Sequence, residues 1–250
     1  MKRWLLPALL LTGLVAAWQI AASTEALADL LGLEPFVVPS PVEIAESMWQ
    51  NRELLAENAW VTLREVLLGF GCAVAVGLVF AVALHLSETL RLAFYPVLVA
   101  SQTIPIVAIA PILVIWFGYG ITPKLWIIAL ICFFPVTVNT LDGLRSVDPE
   151  ATKMMRTLDA SRPQILWRVE MPTALPYFFS GARIAAAIAV IAALFAELAG
   201  GEAGLGVLIR QDTAVLETAR AFAAIALLSV IAIALYALLA LVERRVVTWR

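Results

Sequence analysis

Charge is what this sequence has least of. Only 14% of its 250 residues are Asp, Glu, Lys or Arg, where a soluble domain carries about a quarter. Hydrophobic residues make up 62%, and the mean hydropathy is +0.94. Too few polar groups remain to cover a water-facing surface, which excludes a soluble globular domain and requires a membrane protein. Cysteine is nearly absent. Cys72 and Cys132 sit inside apolar runs, without a CxxC pattern or a nearby histidine, so both read as buried free thiols and lend nothing to redox or metal chemistry. The single histidine, His85, falls at the edge of an apolar run and reads as an interfacial residue. No GxxxxGK[ST] phosphate loop occurs, so the chain does not bind ATP by that device. Short-period repeats and low-complexity tracts are missing too, and nothing points to nucleic acid.

Long apolar runs are what the sequence does have. About 20 mostly apolar residues cross the hydrocarbon core as a helix. Six stretches meet that requirement, at residues 4–22, 60–84, 92–117, 125–141, 178–199 and 219–242. Trp4, Trp18, Trp60, Tyr95, Trp116, Tyr119, Trp126 and Tyr177 lie at their edges, where amphipathic rings anchor at the interface. With the N-terminus inside, twelve Lys and Arg fall on the cytoplasmic side and five outside. The positive-inside rule therefore predicts six spans with both termini cytoplasmic. The opening MKR, an apolar run and Ala21–Ser23 also look like a signal peptide, but the run is long enough to span, and its removal would spoil the charge asymmetry.

Two connections are long. The outer one, residues 23–59, contains FVVPSPVEIAESMWQNRELLAEN, in which Ser40, Pro41 and Glu43 read as cap, first-turn proline and first-turn acid. They predict an amphipathic helix with Ile44, Met48 and Leu55 near one face. The inner one, residues 142–177, holds the charged stretch RTLDASRPQILWRVEMP. Asp148-Pro149-Glu150 starts a helix whose Ala151, Met154, Met155 and Leu158 form one apolar stripe, with Lys153 and Arg156 off it. Asp159-Ala160 interrupts. Ser161 and Gln164 then have capping-box spacing for a second helix, with Ile165, Leu166 and Val169 on its apolar face and Pro172 ending it. Such a pair of capped helices can pack on the ends of the spans or dock into a groove on another protein.

This chain resembles the permease subunits of bacterial ABC importers, in the branch that includes nitrate, sulfonate, taurine and thiamine-precursor systems. Similarity is densest in ASQTIPIVAIAPILVIWFGYG, in CFFPVTVNTLDGL and from Asp148 to Gly206. The family's loop signature, E-A-A-x-x-x-G, nine residues, then I-x-L-P, falls on Lys153, Met154, Met155, Asp159 and Val169-Glu170-Met171-Pro172. Lys replaces the acid, methionines the alanines and Asp the glycine. Aspartate tolerates the left-handed turn that glycine suits, and methionine keeps the stripe apolar.

The resemblance implies an all-α, polytopic permease of the type I ABC importer fold, as a single domain over residues 1–250. A second copy would complete the pore, a homodimer in the bilayer. A cytoplasmic ATPase subunit, carrying ATP and Mg, would grip Ala151, Lys153, Met154, Met155, Leu158, Asp159, Ala160, Ser161, Ile165, Val169 and Pro172. An extracytoplasmic binding protein would deliver the solute. This chain itself would bind no cofactor and catalyse no reaction. The substrate implied is a small polar organic solute, with a thiamine-precursor pyrimidine or related heterocycle favoured over sulfonate, taurine or nitrate-type anions.

Residues 92–117 carry Pro96, Pro105 and Pro111 beside Ser101-Gln102-Thr103. Prolines inside a span free carbonyls that need protein or water partners. Gln102, Thr103 and Pro105 are therefore candidates for the translocation path, with Asn139 and Glu197 as further intramembrane polar groups. Arg64 is the expected partner of Glu197. Gly69, Gly71 and Gly77 suggest close helix contact, and GGEAGLGVLI a tight turn or short outer gate. Two rivals stand apart: an intramembrane hydrolase using Ser180 with His85, and a secondary carrier. The carrier is disfavoured because such proteins place ionisable groups near mid-membrane, whereas the charges here hug the span ends.

Overall fold

Apolar runs without a partner for their backbone groups must become helices in a bilayer, and the computed structural model has helices where the runs lie. It describes residues 2–24, 29–30, 32, 34 and 37–249. The helices are α1 (Lys2–Ser23), α2 (Pro41–Gln50), α3 (Arg52–Leu86), α4 (Glu88–Ser101), α5 (Ile106–Phe117), α6 (Ile121–Arg145), α7 (Pro149–Thr157), α8 (Arg162–Ile165), α9 (Met171–Gly200), α10 (Leu205–Ala214) and α11 (Thr218–Val246). No strand occurs among the described residues. Among the described residues, four helices are long and apolar enough to cross a membrane: α3, α6, the run Arg162–Gly200 and α11. The pair α4 and α5 makes a fifth span if its bend is counted within one crossing, and Ala8–Ser23 is a shorter apolar helix. The side chains of Lys2, Arg3 and Trp4 lie outside the described residues.

The chain divides into two compact units. The first comprises Met1–Val61 and Ala203–Ser229. In it, α2 begins as its sequence predicts. The Ser40 amide donates to Glu43 Oε2 at 2.7 Å, and the Glu43 amide returns a bond to Ser40 Oγ, satisfying two of the free donors at a helix start. Ile44 and Leu55 are buried. The glycine-rich segment makes a turn in which Gly204, at φ +124°, donates its amide to Asn58 Oδ1 at 2.8 Å. Beyond it, Arg220 forks onto Asp212 Oδ1 at 2.9 and 2.6 Å and closes the corner between α10 and α11.

The second unit comprises Thr62–Glu202 and Val230–Arg250. Its centre is the crossing of α6 with α9. A Cβ at Gly143 would meet Tyr177 Cβ at 2.7 Å, and one at Gly181 would meet Asn139 Cβ at 2.8 Å and the Pro135 carbonyl. Only glycine lets these helices approach so closely. Small residues line the rest of the crossing, with Ala182, Ala185, Ala186, Ala189, Ala192 and Ala193 fully buried. Helix α3 lies along α6 by the same device: Gly69 faces Ile128 at 2.7 Å and Gly77 faces Val136 at 3.0 Å. Gly71 departs from the expected contact, since nothing among the described residues lies within 4 Å of its added Cβ. Cys132 is buried with its thiol toward the Ala185 carbonyl, whereas Cys72, expected to be buried, is exposed.

Three boundaries differ from the sequence reading. Helix α3 starts at Arg52, eight residues before the expected span, because the amphipathic segment beyond Asn51 continues helically. The run 92–117 is two helices bent by 101°, not one. Pro172, expected to end the second loop helix, does not. Helix α8 passes through a π turn, Leu166–Glu170, into α9, with the Met171 amide bonded to the Leu166 carbonyl. The widened turn changes the hydrogen-bond register just where proline lacks a donor, and Thr173 Oγ1 donates to the Val169 carbonyl at 2.7 Å.

Candidate functional site

Between α6 and α9 the charged loop is built as its residues dictate. Asp148 Oδ1 accepts the Glu150 amide at 2.8 Å and caps α7. At the other end the Ala160 amide returns to the Met155 carbonyl and the Asp159 amide to the Arg156 carbonyl, both at 3.0 Å. This paired closure needs one left-handed residue. Asp159 supplies it, at φ +57°, in the position where the family pattern has glycine. The Ser161 amide then donates to Gln164 Oε1 at 2.7 Å and starts α8.

The two helices present themselves differently. On α7, Met154 is 65% exposed and Leu158 67%, while Ala151 and Met155 are half-buried and Lys153 is exposed. Along α8 and the π turn, Ile165 and Leu166 are buried, Leu166 against Leu144 and Ala174, with Val82 and Met171 around them, while Trp167 is exposed. Val169, Pro172 and Ala160 are half-buried, and Asp159 and Ser161 exposed. The loop thus offers one apolar face outward, through α7, and anchors itself through α8.

The anchor includes a cluster that sequence reasoning missed. Glu170 is buried, with Oε2 at 2.9 Å from His85 Nε2 and Oε1 accepting from Arg162 at 2.5 Å. His85 is therefore part of a polar joint rather than a bland interfacial residue. Its ring nitrogen faces Glu170 and Arg162, while the Ser180 hydroxyl donates to the Pro176 carbonyl at 3.0 Å. The pairing that an intramembrane hydrolase needs is not formed. The only sequence signal was the acid in the family's I-x-L-P tail, at a position the pattern leaves open.

The break between α4 and α5 contains Gln102, Thr103 and Pro105, all exposed. Its cause is local. Pro105 removes a donor and disfavours helix at Ile104. Ser101 Oγ bonds back to the Leu98 carbonyl at 2.7 Å and Thr103 Oγ1 to the Ala100 carbonyl at 2.8 Å. These hydroxyls satisfy the carbonyls that end α4, and the Gln102 side chain is left at the bend.

Asn139 and Glu197 are placed elsewhere. The Asn139 amide donates to the Pro135 carbonyl of its own helix at 2.8 Å. Glu197 is fully buried and accepts from Thr62 Oγ1 at 2.6 Å. Its expected partner, Arg64, is exposed and forms no ion pair with it among the described residues. Residues 62, 65, 66 and 69 share one helical face and 64 lies off it. Glu65, not Arg64, therefore turns inward and meets Lys124 Nζ at 2.6 Å. Thr62, Glu65, Lys124 and Glu197 tie α3, α6 and α9 together at the end of the bundle away from the loop.

These apolar helices, the polar break and the capped loop belong to a multi-pass membrane protein. The chain belongs to the family described as "Binding-protein-dependent transport system inner membrane component", whose model matches residues 73–248. It is 34% identical over 245 residues to the formylaminopyrimidine transport permease protein ThiX of Halalkalibacterium halodurans, covering 98% of this chain and 95% of that one. Identity to the riboflavin transport system permease protein RibX of Chloroflexus aurantiacus is 38% over 94% of this chain and 87% of the relative. To the taurine transport system permease protein TauC of Escherichia coli it is 31%, over 89% and 84%. Among solved structures, an amino acid ABC transporter superposes with a TM-score of 0.66 at 19% identity, over 80% of this chain and 97% of that one. That likeness carries the fold. The chain is an ABC importer permease, a multi-pass protein of the inner membrane.

Proposed function

We propose that two copies of this chain form the pore of an ATP-driven importer for a small polar heterocycle of the thiamine-precursor pyrimidine type. Each copy crosses the membrane six times with both termini in the cytoplasm. Helix α1 is the sixth span, since its 22 residues reach about 30 Å at 1.5 Å per residue. The twelve-to-five excess of basic residues supports the orientation. ATP and Mg belong to a separate ATPase subunit, and an extracytoplasmic binding protein hands over the solute.

The observation that carries this reading is the outward apolar face of α7. Met154 and Leu158, each about two-thirds exposed, sit on a short helix fixed at both ends by caps. Large exposed apolar groups in a cytosolic loop call for a protein partner, and a helix in a groove is a common way to meet one. The same loop runs without interruption into α9, so force applied there reaches a membrane span. In this reading Gln102, Thr103 and Pro105 border the path, because the break puts exposed polar side chains inside an otherwise apolar crossing. Glu197 ties α9 to α3 through Thr62, and Asn139 bonds within α6.

The substrate class rests on the pyrimidine permease relative, matched over nearly the whole chain. A taurine-type anion is the second reading, supported by the taurine permease relative. Reconstitution of the permease with its ATPase and binding protein in liposomes separates them. ATP-dependent uptake of formylaminopyrimidine and not taurine is expected; the reverse would establish the anion reading. Uptake by this chain alone, driven by an ion gradient, would replace both with a secondary carrier.

A further inference from the structure

The charged joint at the base of the loop has no role in the reading above. Glu170 is the last residue of the π turn and only 3% exposed. Its two oxygens serve different elements. Oε2 lies 2.9 Å from His85 Nε2, one residue from the end of α3, and Oε1 accepts from Arg162, the first residue of α8. Arg162 also places its other terminal nitrogen 3.2 Å from the same His85 nitrogen. The triangle therefore closes over the end of α3, the start of α8 and the start of α9. Apolar contact backs it, since Val82, one turn before His85, packs with Leu144, Leu166, Ala174 and Met171.

Glu170 is buried while its partner Arg162 is 43% exposed, and burying a carboxylate is a poor way to gain stability, because desolvation offsets much of the attraction. Slippage would leave the buried Glu170 charge without its partners, at a large cost, which disfavours any other register. Here the register being fixed is that of the loop against α3.

We propose that Glu170 is a positioning residue of the transport cycle, yoking the loop and α9 to α3 so that a push on α7 turns both spans as one lever. The π turn makes this economical. It carries α8 into α9 without a hinge and turns Glu170 back toward α3. This inference rests on the reading of α7 as the ATPase-gripping face, and it adds which span follows the loop.

The test uses the complete permease–ATPase complex with Cys72 and Cys132 replaced by alanine and a nitroxide at position 86 of each copy. Electron–electron distances are recorded with and without ATP. In the parent protein the ATP-driven change moves α3 and shifts the distance. E170Q and H85L are expected to retain the ATPase subunit and ATP hydrolysis within twofold, yet to reduce the distance shift to less than a fifth. H85Q, whose amide can still donate to Glu170, is expected to keep it. An undiminished shift in E170Q and H85L overturns the proposal. So does a joint loss of shift and hydrolysis in folded protein, which marks a merely structural role. Should E170Q fail to fold, the comparison of H85L with H85Q decides alone, and equal shifts overturn it. Failure of the underlying reading looks different: the ATPase would remain bound after M154D/L158D.

Discussion

The Thr62 hydroxyl donates to the Glu197 carboxylate at 2.6 Å, joining α3 to the end of α9 across 135 positions of sequence. Both side chains are fully buried. A hydrogen bond to a charged group contributes about 1.5–3 kcal/mol. T62V is therefore expected to lower the thermal midpoint of the detergent-solubilised permease, while T62S, which keeps the hydroxyl, should stay close to the parent. Equal midpoints for the parent, T62S and T62V would show that this bond contributes nothing.

Lys124 and Glu65 form the second tie at that end, 2.6 Å apart, with side chains 6% and 4% exposed. Glu65 Oε2 has no hydrogen-bond partner among the described residues, so the lysine on Oε1 is what offsets the buried carboxylate. Breaking such a pair from one side costs about 3–5 kcal/mol. K124M should destabilise strongly, and E65Q/K124M should recover part of the loss because the Glu65 charge is removed together with its partner. A double variant no better than K124M would contradict the pairing.

The sequence foretold the helix starts well. Ser40 with Glu43, Asp148 with Glu150 and Ser161 with Gln164 all form the bonds their spacing implied, because caps are local chemistry. Asp159 took the left-handed turn for the same reason. Long-range pairings were not legible. Arg64 and Glu65 are adjacent charges, and only the angular position of α3 against α6 decides which one turns inward. The break at Gln102–Pro105 was signalled by its proline, but kinked and broken helices share that signal, and the hydroxyl bonds of Ser101 and Thr103 tip it. Pro172 misled because a π turn absorbs a proline that an α turn would not. His85 and Glu170, 85 residues apart, carried no pattern that spacing could reveal.

Gln102 stands at the break with its side chain exposed. Q102L should change the rate of solute uptake at least several-fold while leaving assembly with the ATPase and the thermal midpoint unaltered. Uptake equal to the parent's would remove Gln102 from the path.

At Gly181 an added methyl has no room, since it would meet the Pro135 carbonyl and Asn139 Cβ. G181A must push α9 from α6, and overpacking of this kind costs about 1–3 kcal/mol. A lower midpoint and reduced uptake are expected together; a midpoint at or above the parent's would show that the crossing yields easily.

The account depends above all on α7 lying in the cytoplasm with its Met154 face toward a motor subunit. The most direct measurement is thiol labelling of M154C, in a C72A/C132A background without the ATPase, by a membrane-impermeant maleimide. Labelling is predicted in inverted vesicles and absent in right-side-out vesicles. Labelling from the outside would contradict the account.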